Sequence, residues 1–231
     1  MVAGNIKIAI VTSIIGVCDT LKEQCAQSIP VDWICYTNQD FKSDTWDIRR
    51  SEKFPEFKND NLRGLYYKLQ THKILKDYDY IIYICGSVEI TNPNYAVDYI
   101  NYASYTGLAN FYHPERRCAY DELEFCKPIK KYIGEPIHKQ IDFYKKEKFP
   151  RNYGLWACTD FVRACNDETD NFFDTWWSYL NEYAINDQMS LPYISWALDI
   201  IPFTIPGNQR ENKYYIKHKH IKSWENLKKR V

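Results

Sequence analysis

"DYDYIIYICGSVEI", Asp77–Ile90, decides how the rest of the chain is read. Ile81 to Ile84 form a short apolar run rich in β-branched and aromatic side chains, with aspartates before it and Gly86 after it. That pattern predicts a buried strand over Tyr80–Ile84. It leaves Cys85, Gly86 and Ser87 just past a strand end and Glu89 two residues further on.

Upstream, "KIAIVTSI" (Lys7–Ile14) reads as a first strand ended by Gly16, "DTLKEQCAQS" (Asp19–Ser28) as a helix opened by Asp19, and "VDWICYTN" as a second strand. Strand, helix and strand in that compass begin an α/β unit with parallel strands. Lys42–Asp60 reads as irregular chain or a short edge strand. Leu62–Leu75 has the spacing of one amphipathic helix despite Gly64. Beyond Pro93, "YAVDYINYAS" is helical, and the chain from Gly107 to Asn152 mixes a strand, a His-Pro turn and one or two helices. "YGLWACTDFVRAC" is a return strand, "DNFFDTWWSYLNEYA" is a helix, and "NDQMSLPYISWALD" follows it. The prediction is an α/β domain with a mixed, mostly parallel central sheet flanked by helices. Its ligand crevice lies at the carboxyl ends of the strands, where Cys85, Gly86 and Ser87 fall.

A chain of 231 residues fits one domain with a sizeable core. Its 30 Lys+Arg balance 30 Asp+Glu, so no long-range field favours nucleic acid, and only the C-terminal "KHKHIKSWENLKKR" concentrates basic residues. The eight cysteines lie in apolar or strand-like contexts, without C-x-x-C pairs, and read as reduced, mostly buried thiols of a cytoplasmic protein. The N-terminal apolar run is shorter than a spanning helix requires, and no integral membrane segment is expected. Neither G-x-S-x-G, G-x-G-x-x-G nor a P-loop occurs, which lowers hydrolase, dinucleotide and ATPase readings and narrows the field to sugar transfer or sugar binding. Aromatic residues make up 16% of the chain; Tyr83, Trp156, Trp176, Trp177 and Trp196 are candidate stacking walls, with at least one expected in the cleft.

Several side chains carry candidate chemistry. Gly86 would let a phosphate or sugar approach the backbone, with Ser87 and Glu89 supplying oxygens. Arg63 and Lys68, on the helix before the central strand, would reach a diphosphate with guanidinium and ammonium groups, or lie on a solvated face. His72 is a packing residue or a ligand. Asp187 is a helix cap or a carboxylate placed against an acceptor hydroxyl, with Gln188 adding amide contacts. His218 and His220 straddle Lys219 and share a face if extended, where either would serve a metal or a phosphate.

The ordered pieces "IAIVTSIIG", "DWICYTN", "YYKLQTHKILKDYDYIIYICGSVEI", "HPERRCAYDELEFC", "FPRNYGLWACTDFVRACND", "FFDTWWSYLNEY" and "NDQMSLPYISW" cover roughly residues 7–200. Together they resemble the glycosyltransferase-like proteins of polysaccharide loci, large DNA viruses and plant cell-wall pathways, whose fold is of the glycosyltransferase A type. The combination of His113-Pro114-Glu115-Arg116 with Asp187-Gln188 is the most specific part. The resemblance implies a nucleoside-diphosphate-sugar donor and a glycan acceptor. Residues 1–92 would then form the nucleotide-sugar half, and residues 93–231 the acceptor-side half and tail. Donor contacts would fall to Thr12, Arg63, Lys68, Cys85, Gly86 and Ser87, and catalysis to Asp187 and Gln188. A Mg²⁺ or Mn²⁺ ion would use Ser87, Glu89, His218 and His220. Relatives place an aspartate where this chain has Cys85, so metal-independent donor binding is an equal expectation. A sugar-binding protein that kept the fold without turnover is the alternative reading.

Overall fold

The computed structural model describes residues 6–16, 18–51, 57 and 59–220. The basic run past His220, and residues 52–56 and 58 of the predicted irregular segment, lie outside them. The first part of the chain forms β1 (Ile8–Ile14), β2 (Asp32–Thr37), β3 (Asp47–Arg50), α1 (Asp60–Leu69), α2 (Thr71–Ile74), β4 (Tyr80–Ile84) and β5 (Val88–Ile90). Next come α3 (Tyr95–Thr106), β6 (Leu108–Phe111), α4 (Ala119–Cys126), a single 3-10 turn at Lys130–Tyr132 and α5 (Ile137–Lys146). The chain continues through β7 (Asp160–Ala164), α6 (Asp167–Glu182), α7 (Asp187–Ala197), β8 (Phe203–Ile205) and β9 (Tyr215–Lys217).

Seven strands form one sheet in the order β3-β2-β1-β4-β7-β6-β8. β1 pairs in parallel with both β2 and β4, and β2 with β3; β7 runs antiparallel to β4 and β6, and β6 pairs in parallel with β8. β7 alone therefore runs against the rest, giving the mixed, mostly parallel sheet that the sequence predicts. Alternation along the central strand distributes its side chains between two cores. Ile81 and Tyr83 join a core with α1, α4, α5, α6 and α7, while Ile82 and Ile84 join one with α3. Both faces are covered, as a largely parallel sheet requires.

Two sequence expectations change. Asp19–Ser28 is not a helix; it runs as irregular chain beside residues 88–96. Gln24 accepts from the Ile90 amide at 2.7 Å, Gln27 accepts from the Ala96 amide at 2.9 Å, and the Ser28 amide reaches the Pro93 carbonyl at 2.7 Å. Side-chain amides and backbone groups that a helix would turn inward are satisfied across the gap instead. The predicted helix over Leu62–Leu75 is broken at Gln70, whose side chain donates to the Phe173 carbonyl at 3.1 Å on α6. The edge strand allowed for in Lys42–Asp60 is β3.

A second, two-stranded sheet carries the C-terminal chain back to the central strand end. β9 pairs antiparallel with β5, Val88 opposite Lys217, and the His218 amide donates to the Ser87 carbonyl at 2.8 Å. Among the described residues no helix is long and apolar enough to cross a membrane.

Candidate functional site

A cleft of about 490 Å³ opens past the carboxyl ends of β1 and β4. Ser13, Tyr83 and Cys85 belong to the sheet side; Gly64 and Lys68 come from α1, Asp187 and Gln188 from α7, and Lys217 and His220 from β9 and the residues after it. The location follows from topology. Crevices in open α/β sheets form beyond carboxyl strand ends, and here β7 begins where β4 stops, with the Cys85 amide bonded to the Thr159 carbonyl at 2.8 Å.

Lys68 and Asp187 form the centre of the site. The Lys68 ammonium, 5% exposed, meets the Asp187 carboxylate at 2.5 Å, donates to the Cys158 carbonyl and lies 4.8 Å from the centre of the Tyr83 ring. Burial is the largest single influence and works against its charge, but Asp187 and the smaller effects of Cys85, Tyr83 and Cys158 together lift its pKa above the ordinary lysine range. Asp187 is the first residue of α7. Asn186 caps this helix, its side chain accepting from the Gln188 amide at 3.0 Å, and donates to the Tyr132 hydroxyl at 2.8 Å.

A relay links the two motifs that the sequence singles out. His113 Nδ1 accepts from the amides of Glu115 and Arg116 at 3.2 and 2.9 Å, closing the His-Pro turn. Burial holds the His113 pKa below the usual histidine value, in keeping with a neutral ring whose Nδ1 accepts. Arg116 then pairs with buried Glu122, and Glu122 Oε1 accepts from Gln188 Nε2 at 2.9 Å. The chain of contacts ends beside Asp187.

The other sequence candidates fall elsewhere. Arg63 is buried and spends its guanidinium on the carbonyl and hydroxyl of Ser51. Five residues on a helix turn its side chain roughly 140° from Lys68, so the two do not reach one ligand. Thr12 is buried within β1, and its neighbour Ser13 faces the cleft, bonded to Tyr83 at 3.0 Å. A Cβ on Gly86 would stand 2.7 Å from Ile14, so packing alone requires glycine there. Ser87 is buried and its hydroxyl has no hydrogen-bond partner among the described residues. His72 packs away from the cleft, bonded to Asp174 at 2.9 Å. Of the aromatic candidates Tyr83 lines the cleft; Trp156 and Trp176 are core, and Trp177 and Trp196 pack on Tyr66 and Phe149.

Of the four donors named for a metal, Glu89 and His218 pair with each other at 2.6 Å, whereas His220 pairs with Asp19 at 2.9 Å. Burial raises the Cys85 pKa, although Lys68 and Lys217 oppose it, so the thiol stays protonated at neutral pH. Among the described residues no three His, Cys, Asp or Glu side chains are grouped to hold an ion. This donor set does not fit a protein-held Mg²⁺ or Mn²⁺, which requires converging hard oxygens. The sequence passed over Lys131, Glu122 and Ser13, all in the cleft, whereas Lys217 opens the C-terminal "KHKH" whose lysines and histidines were expected to serve the diphosphate; the signal for Glu122 was its place six residues after Arg116 in "HPERRCAYDELEFC".

The family model of the TOD1/MUCI70 glycosyltransferase-like domain matches residues 20–220. The chain belongs to that family. Among solved structures, the apo WbbM bifunctional glycosyltransferase superposes with a TM-score of 0.53 at 10% identity, over 87% of this chain and 39% of that one. At that identity the likeness shows the fold, and this chain spans about two fifths of the neighbour's length. No curated protein matches the chain.

Proposed function

We propose that the protein is a glycosyltransferase that moves a sugar from a nucleoside diphosphate to a hydroxyl of a glycan, with Asp187 as the catalytic carboxylate. The observation that carries this reading is the buried Lys68–Asp187 pair in the wall of the strand-end cleft. Family membership supports it. In the proposed step the acceptor oxygen attacks the anomeric carbon and its proton passes to Asp187. The bond from that carbon to the diphosphate oxygen breaks, and its electron pair leaves on the diphosphate. Lys68 holds the Asp187 carboxylate in position, while the His113–Arg116–Glu122–Gln188 relay holds the start of α7 in place.

The test is release of nucleoside diphosphate from a panel of UDP- and GDP-sugars with oligosaccharide acceptors. Asp187→Asn should cut turnover about 10²–10⁴-fold, the range for loss of a general base, while donor affinity measured by calorimetry stays within a few-fold. Donor binding without consumption by the wild-type protein, across the panel, would instead favour a binding protein of the same fold.

A further inference from the structure

The carboxylates of the cleft already face cations. Asp187 meets Lys68, Glu122 meets Arg116, and Asp60 lies 3.8 Å from Arg63. His220 is held by Asp19. Two further ammonium groups line the same cavity: Lys131 from the 3-10 turn after α4, and Lys217 from β9. Lys217 reaches the Thr159 hydroxyl at 3.1 Å, and Lys131 lies 5.2 Å from the centre of the Tyr132 ring. Each is within electrostatic reach of Cys85 and of Lys68. Lys131 is half-buried and Lys217 exposed; partial desolvation on the cleft wall, before any other cause, holds the pKa of each below the ordinary lysine value, against the opposing pull of Asp187 on Lys131 and of Cys85 and Asp160 on Lys217. Ammonium groups drawn partly out of water on the wall of one cavity gain from an anion placed there.

We infer that Lys131 and Lys217 are the diphosphate clamp of this site and stand where a metal ion would otherwise neutralise the leaving group. This rests on the donor-cleft reading above and specifies how that cleft handles charge. A diphosphate placed in the cleft against the two amines gives each a charge-assisted hydrogen bond. A protonated Cys85 belongs to the same arrangement, because an aspartate there would place a carboxylate beside both lysines and compete with the ligand. The C-terminal strand fits the same purpose. Pairing of β9 with β5 delivers Lys217 to the strand end, and the His218–Glu89 and His220–Asp19 contacts fasten the chain that follows it.

Calorimetric titration of the full chain with inorganic pyrophosphate, UDP and GDP, in EDTA and then in Mg²⁺ or Mn²⁺, tests this. The clamp predicts binding in EDTA that either metal changes less than threefold. Lys131→Gln and Lys217→Gln should each weaken pyrophosphate about tenfold, the loss of one charge-assisted hydrogen bond. Lys139→Gln, on the exposed face of α5, should leave it unchanged. Cys85→Asp should weaken metal-free binding and make it respond to metal. Binding that appears only with a divalent ion, or lysine variants that match wild type while thermal unfolding confirms their fold, would overturn the inference. The two readings fail separately: pyrophosphate bound in EDTA with no turnover leaves the clamp and removes the enzyme, whereas metal-dependent turnover lost in Asp187→Asn does the reverse.

Discussion

Asp160 is fully buried at the start of β7, its carboxylate accepting from the hydroxyls of Tyr99 and, at 2.9 Å, Tyr215. Burial lifts its pKa to about 6, against the opposing effect of the two tyrosines. Between about pH 4 and 6 the folded protein therefore retains a proton that the unfolded chain releases, and stability falls as pH rises through that window, levelling off above it. A rise from the ordinary aspartate value to about 6 corresponds to a loss on the order of 3 kcal/mol. Asp160→Asn should remove that slope, so the wild-type minus variant difference in urea unfolding free energy should decline from about pH 4 to about pH 6.5. A difference independent of pH would show that Asp160 does not titrate there. The comparison with the variant isolates Asp160 from His72 and His113, whose lowered pKa values give slopes of opposite sign. Cys85 shows how a single residue changes the chemistry: the strand end is kept, but its polar contribution is a protonated thiol, which leaves the charge of an anionic ligand, in the clamp proposed above, to the neighbouring lysines.

At the scale of elements, helix α7 presents Asp187 through its first turn, so the cap sets the position of the carboxylate proposed as catalytic. Asn186→Ala removes a cap bond and a buried bond to Tyr132, and should lower stability by about 1 kcal/mol or more. Asn186→Asp, which keeps the capping oxygen, should recover part of it; equal loss in both variants would mean that the cap bond contributes nothing. The sequence made this element and the central strand legible, because Tyr80–Ile84 and "NDQMSLPYISW" carry their signals locally. It misread Asp19–Ser28, where an Asp followed by good helix formers resembles a helix start, because the deciding contacts of Gln24 and Gln27 are with residues more than 60 positions away. The pairing of Arg63 with Lys68 is a similar failure: one helix holds both, but Arg63 turns to Ser51 while Lys68 enters the cleft against Asp187. The C-terminal lysines were legible as candidates, but that Lys217 is the one carried to the strand end was hidden, because β9 and β5 are 127 residues apart at the Glu89–Ile216 pair.

For the whole molecule, zero formal charge recurs at the cleft, where Lys68, Lys131 and Lys217 stand beside Asp60, Glu122 and Asp187. The seven-stranded sheet sets its β1 and β4 ends against α1 and α7, and the C-terminal strand closes the remaining side, so that groups distant in the chain meet in one cleft. A second hollow of about 600 Å³ lies elsewhere, between the end of α3 and the start of α6, and is lined by Tyr105, Asn166, Glu168 and Ile201 without lysine or arginine. The most direct trial is a crystal structure of the protein grown in EDTA with UDP or GDP. The diphosphate is expected between the amines of Lys131 and Lys217, with the open end of the cleft leading to Asp187. A nucleotide seated in the α3–α6 hollow, or a diphosphate in the strand-end cleft touching neither lysine, would contradict the clamp.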